Sequence, residues 1–122
     1  MPRYPFGRST SKYGNKKVRT PEGDFDSKAE FERYCALHIL LRAGEIRKLE
    51  RQVRFDLLPS KRGEFRAEKP VAYIADFVYE EKRGSEWVKV VEDVKGKRTE
   101  SYVIKRKLML YIHGISIKEV QS

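Results

Sequence analysis

The stretch VAYIADFVYEEKRGSEWVKVVEDVKGK, residues 71–97, decides how this chain folds. It contains two β-rich runs, VAYIADFVYE and EWVKVVEDVKG, separated by EKRGS, a connection of the length and composition of a hairpin turn. Each run is apolar enough to be buried, yet each carries acids. Asp76 interrupts the first between Ala75 and Phe77, and Glu92, Asp93 and Lys95 crowd the end of the second. Side chains two apart on a strand share a face, so Asp93 and Lys95 point together, about 6–7 Å apart, while Glu92 points the other way, toward solvent or a neighbouring lysine. A carboxylate in a strand that enters a core costs several kcal/mol unless it is paired or meets a cation.

Register decides which acids meet. If paired residue numbers sum to 167 or 169, Asp76 lies opposite Val91 or Asp93, on the face that also carries Lys95. A slip of one residue brings Glu92 to Asp76 and takes Lys95 away. In the odd register two carboxylates and an amine occupy one place. Two carboxylates on adjacent strands outline a Mg²⁺ site, because this hard cation takes oxygen ligands and keeps several waters when one or two carboxylates hold it. Mn²⁺ would substitute. Lys95 can orient or deprotonate a water and offset charge on a phosphate, and the Val94 backbone carbonyl would face the metal if the strand bends there.

Working outward, Asp26 and Ser27 are capping candidates for a helix from about Ser27 to Ala43, with Phe31, Tyr34, Leu37, His38 and Leu41 as its inward stripe and Gly44 ending it. Cys35, the only cysteine, sits among Tyr34, Leu37 and Ile39 and reads as a packed core thiol. A short strand over Gln52–Leu58 stops at Pro59, and residues 60–70 read as a loop or hairpin tip. Beyond the hairpin, Thr99 caps a second helix that carries Ile104, Leu108 and Tyr111 on one face and ends at Gly114. ISIKEV closes the chain as a strand. The order is αβββαβ within one α/β (α+β) domain over residues 21–122, with a mixed central sheet flanked by helices.

Charge narrows the partner. Lys and Arg number 27 against 18 Asp and Glu, a formal net charge of +9, and an excess of that size attracts polyanions through its summed field. No apolar run approaches the roughly 20 residues of a spanning helix, so DNA is the expected polyanion, not a membrane, and the expected location is the cytoplasm, that of a bacterial host if the chain is phage-encoded. Residues 1–20 form a basic arm with six basic residues and no acid, among them Lys12, Lys16, Lys17 and Arg19. Lys97, Arg98, Lys105, Arg106 and Lys107 begin at the end of the acid-bearing strand and are candidate phosphate contacts.

Asp76 followed by Asp93-Val94-Lys95 resembles the PD-(D/E)XK nuclease motif, in which an acid on one strand and acid-x-lysine on the next sit at the edge of a restriction-endonuclease-like αβββαβ core. The segments FDSKAE…RY, ADFVY and VVEDVKG further resemble a family of small phage and prophage proteins placed in that superfamily. Ala75 departs from the motif at its proline, which is not a ligand. The resemblance, over roughly residues 24–120, implies that Glu30 on the first helix joins Asp76 and Asp93 as a metal ligand, although Ser27 and Glu30 also spell a capping box. It also implies that Gln52 positions a water and that cleavage leaves a 5′ phosphate.

The expected activity is therefore Mg²⁺-dependent endonucleolytic hydrolysis of DNA, with a Holliday-junction resolvase or a sequence-specific or nicking restriction-like enzyme as its two forms. A homodimer would supply the two centres that two cuts need. A non-catalytic nucleic-acid-binding module or a phage assembly factor, with the acids as structural ion pairs, is the reading from a different class.

Overall fold

A computed structural model describes residues 17–21 and 23–121. In chain order the elements are β1 (Val18–Thr20), β2 (Gly23–Phe25), α1 (Lys28–Arg42), β3 (Ile46–Leu58), β4 (Lys61–Arg62), β5 (Ala67–Glu68), β6 (Val71–Arg83), β7 (Glu86–Lys95), α2 (Glu100–His113) and β8 (Lys118–Gln121). The chain divides into two compact units, Met1–Ile39 and Leu40–Ser122.

In the first unit β1 and β2 pair antiparallel, and Phe25 packs its ring against those of Phe31 and Tyr34 at centroid distances of 5.1 and 5.0 Å. The Ser27 Oγ accepts the Glu30 amide at 3.1 Å, which satisfies one of the free donors at the start of α1. The end of the expected basic arm is therefore strand, because Val18–Thr20 finds a partner in Gly23–Phe25; Lys17 and Arg19 are exposed, and Lys12 and Lys16 lie outside the described residues. Phe31, Tyr34, Leu37 and His38 are shielded as their spacing predicts, but Cys35 is exposed. It stands two residues from Leu37, about 200° around the helix, and so faces away from the stripe.

The second unit is built on a four-stranded mixed sheet in the order β3-β6-β7-β8. The first two pairings are antiparallel; β7 and β8 run parallel, joined by the crossover through α2 that a parallel pair requires. The fold is thus α+β, with a mixed central sheet and two helices. β3 begins at Ile46, six residues earlier than the pattern predicts, since its outer half pairs with the far end of β6 (Ile46↔Glu81, Arg47↔Glu80) despite its charges. The polar segment before β6 is a hairpin, β4 pairing with β5.

Thr99 caps α2, its Oγ1 accepting the Tyr102 amide at 3.1 Å, and Gly114 ends it in the left-handed conformation at φ 69°, donating its N–H to Leu110 O at 3.0 Å. One core cluster lies between α2 and the sheet: Leu57, Tyr73, Ala75, Val78, Val91, Tyr102, Met109 and Ile117. The buried residues of α2 are Tyr102 and Met109; Leu108 packs against the cluster as its spacing predicts, but Ile104 and Tyr111 are 54% and 89% exposed. Periodicity misplaces the face because Arg106, one turn from each of the true inward residues, is charged and is drawn in by an acid on β8.

Candidate functional site

The hairpin register settles which acid meets Asp76. Pairs between β6 and β7 run from Phe77↔Glu92 to Arg83↔Glu86, each summing to 169, so one further step places Asp76 opposite Asp93. The backbone ladder stops at that step. In its place the Asp76 Oδ2 accepts the Val94 amide at 2.9 Å, a carboxylate standing where a strand carbonyl would. N–H and C=O of one residue point to the same side of a strand, so the Val94 carbonyl is turned toward β6 as well.

On its other side Asp76 faces Gln52. Arg51↔Phe77 and Val53↔Ala75 flank this position in the β3–β6 ladder, and the Gln52 Nε2 lies 3.5 Å from Asp76 Oδ1. Gln52 has φ of 53°, a left-handed conformation that non-glycine residues seldom adopt and that costs on the order of 1 kcal/mol or more. Tyr73, Ala75 and Val78 share one core cluster, although strict alternation would put Ala75 and Val78 on opposite faces. The alternation therefore changes phase between them, at Asp76 and beside the irregular Gln52.

Asp93 is 3% exposed. The Tyr73 hydroxyl donates to its Oδ2, and the Lys95 Nζ lies 3.5 Å from its Oδ1. Burial, then a hydrogen bond with Asp93, then the Asp93 charge push the Asp76 carboxyl from 3.8 up to about 7; the Val94 amide and Lys95 pull it back. A carboxyl raised that far keeps its proton part of the time at neutral pH. Burial and the Asp93 charge also raise Tyr73, which stays a phenol and a donor.

Lys95 is anchored twice. Besides Asp93 it meets the Tyr102 ring, its Nζ 4.2 Å from the centroid. The Tyr102 hydroxyl donates to Glu119 Oε2 at 2.8 Å, and burial, then that hydrogen bond, push its ionisation to higher pH. Glu119 also takes Arg98 on Oε1 at 2.7 Å and Arg106 on Oε2 at 2.8 Å, contacts that hold its carboxyl down to about 2. Glu119 stands beside Asp93 in the parallel ladder, and sequence reasoning missed it. The signal was an acid in the closing strand, two residues after Ile117, which is buried just before β8.

Asp76, Asp93, Lys95 and Gln52 are thus brought together. Arg98 and Arg106, expected to face phosphates, are engaged by Glu119 on the same side, while Lys97 and Lys107 are exposed and Lys105 half-buried. Glu92 is not a solvent-facing acid. It is fully buried and accepts the Tyr79 hydroxyl at 2.7 Å, because Phe77 opposite it and Tyr79 and Val90 beside it are buried as well and leave no solvent face at that position. Glu30, in the other unit, is 3% exposed in the first turn of α1. Among the described residues, no three His, Cys, Asp or Glu side chains converge as a metal-holding group. The side-chain donors of this site are a pair, a hard oxygen set that suits a cation retaining much of its hydration. Contact between two carboxylates under burial is itself unfavourable, and a divalent ion would relieve it.

Among the described residues, no helix is long and apolar enough to cross a membrane. No curated protein and no solved structure matches the chain. A family model does match, over residues 10–119, and the chain accordingly belongs to the family described as protein of unknown function DUF1064.

Proposed function

We propose that this protein is a Mg²⁺-dependent DNA endonuclease with a restriction-endonuclease-like core. The observation that carries the reading is the Asp76–Asp93 pair on neighbouring strands, with the Lys95 amine 3.5 Å from Asp93 on the same face. A purely structural pair would be expected to match an acid with a base; here two acids meet under partial burial and one lysine serves both.

In this reading Asp76 and Asp93 hold the ion, with the Val94 carbonyl as a further oxygen donor. When bound, Mg²⁺ polarises the scissile phosphate and lowers the pKa of a coordinated water. The chain's own residues do the rest. The Lys95 ammonium, held between Asp93 and the Tyr102 ring, orients the attacking water and offsets charge on the phosphate. Gln52, fixed by its unusual backbone, reaches the same carboxylate from the other side and can present an amide to that water. The Tyr73 hydroxyl keeps Asp93 turned toward Asp76. Bond breakage to the 3′ oxygen leaves a 5′ phosphate, as in the nucleases the motif resembles. The net charge of +9, with Lys97 exposed two residues after Lys95, supports DNA as the polymer. A homodimer would bring two such centres to two strands.

The test compares supercoiled plasmid, linear duplex, single strand and a four-way junction, each with Mg²⁺, Mn²⁺ or chelator, for the natural chain and Asp93→Ala. Cleavage that requires both metal and Asp93 is expected. Its absence on every substrate would sink the reading and leave a binding module whose DNA affinity ignores chelator and Asp93.

A further inference from the structure

The segment Leu58–Pro70 is exposed at every one of its 13 positions, yet it is regular. Leu58↔Val71 closes the β3–β6 ladder, and Lys61↔Glu68 and Arg62↔Ala67 resume it in the same register, each pair summing to 129. Pro59 and Pro70 interrupt it between, removing two amide donors at the mouth. The β4–β5 hairpin is therefore a continuation of the sheet beyond its packed edge, a finger paired only with itself. At its tip the Gly63 amide donates to Arg66 O at 2.8 Å, and a Cβ at Gly63 would lie 3.2 Å from that same oxygen, so the tip is tight.

The tip presents Phe65, 82% exposed. A phenyl ring on a polar finger contributes nothing to any core. Around it stand four basic residues, Lys61, Arg62, Arg66 and Lys69, against two acids, Glu64 and Glu68. Only Arg66 approaches one of them, Glu68, at 3.9 Å in full solvent, a contact worth little. An aromatic face carried on a stiff support among cations is the pattern by which proteins hold unpaired nucleotides: the ring stacks on a base and the cations take the flanking phosphates.

We propose that the β4–β5 hairpin is a nucleic-acid finger whose Phe65 ring stacks on an unpaired base of the DNA bound at the acid pair. The inference rests on the nuclease reading for the identity of its polymer, and it adds a substrate class, DNA with an unpaired or displaced nucleotide within about one helical turn of the cut. Asp76 lies five residues along β6 from the mouth of the finger and 11 residues from Phe65, at most about 36 Å at ~3.3 Å per residue, or up to roughly eleven nucleotide steps. One bound strand spans both.

The experiment uses the full chain with Ca²⁺, which takes the same oxygen donors, and two oligonucleotide duplexes: one fully paired, one with a single bulged 2-aminopurine. Affinity and base fluorescence are read for the natural chain, Phe65→Ala and Phe65→Trp. The natural chain is expected to quench the bulged base and to bind that duplex about tenfold more tightly than the paired one, in line with the strength of base–aromatic stacking. Phe65→Ala loses both effects, and Phe65→Trp retains them. The side chain at 65 touches no core, so folding is not at stake. Equal behaviour of Phe65→Ala and the natural chain overturns the finger, as does a loss of equal size on both duplexes, or no binding to either. Mg²⁺ cleavage separates the two ideas. If cleavage depends on Asp93 but binding is indifferent to Phe65, the finger falls and the nuclease stands. If Phe65-dependent quenching occurs without cleavage of any substrate, the finger stands and the nuclease falls.

Discussion

Replacing Asp76 by asparagine should make the metal-free protein more stable above neutral pH while abolishing its chemistry. In the folded chain the Asp76 carboxyl is raised from 3.8 to about 7, chiefly by burial and next by Asp93. A group raised on folding stabilises fully below its unfolded pKa, and that contribution is lost as pH rises through the folded value. Here the window runs from about pH 4 to pH 7. Three units correspond to on the order of 4 kcal/mol, and because Asp76 keeps some contact with solvent, about half of that is the expected loss. Asparagine keeps an oxygen for the Val94 amide and offers Asp93 an N–H donor where the protonated Asp76 carboxyl offers its O–H. Asp76→Asn should therefore match the natural chain at pH 4 and exceed it by about 2 kcal/mol at pH 8.5 in urea denaturation with chelator present. Added Mg²⁺ at pH 8.5 should close the gap by stabilising only the natural chain. A difference that stays flat between pH 4 and 8.5, or favours the natural chain at 8.5 without metal, would refute the reasoning.

Other perturbations follow from the same geometry. Lys95→Met should lower the cleavage rate by about two to three decades, the range for losing one positioned charge-stabilising donor, with DNA affinity in Ca²⁺ little changed. Tyr102→Phe, which keeps the ring beneath Lys95, should retain most of kcat, whereas Tyr102→Leu should lower kcat at similar KM; equal effects of the two would assign Tyr102 to its hydroxyl instead. Glu119→Gln should destabilise the fold by about 1 kcal/mol in thermal or urea unfolding at neutral pH, since Arg98 and Arg106 lose their common anion, and the difference should vanish as pH falls toward 2. Met109→Ala, at a fully buried position of the cluster between α2 and the sheet, should cost about 2–5 kcal/mol.

The hairpin, both helices, the caps at Thr99 and Gly114 and the placement of Asp93 and Lys95 on one face were legible in the sequence, because each depends on local spacing. What was not legible depended on partners far along the chain. Glu92 looks like a surface acid until Tyr79 supplies its hydroxyl. Arg106 looks like a phosphate contact until Glu119, 13 residues on, draws it toward the sheet and takes the inner face of α2 with it. Cys35 was misplaced for a simpler reason: apolar neighbours in sequence are not neighbours around a helix. Nothing local announces that Gln52 leaves the strand conformation, since its left-handed backbone answers to the change of phase in β6 opposite it.

That change of phase makes the site a matter of counting. Gln52, Asp76, Asp93 and Glu119 stand in one row across all four strands, one residue from each. An insertion or deletion of a single residue between this row and the next fixed point of its strand would move one member out of line and turn its neighbours inside out. The turn between Arg83 and Glu86, by contrast, lies seven paired positions away, and the segment from Pro59 to Pro70 lies beyond the packed part of the sheet. Chains of this family should therefore vary in length at those two tips and hold the spacings within β6 and β7 fixed.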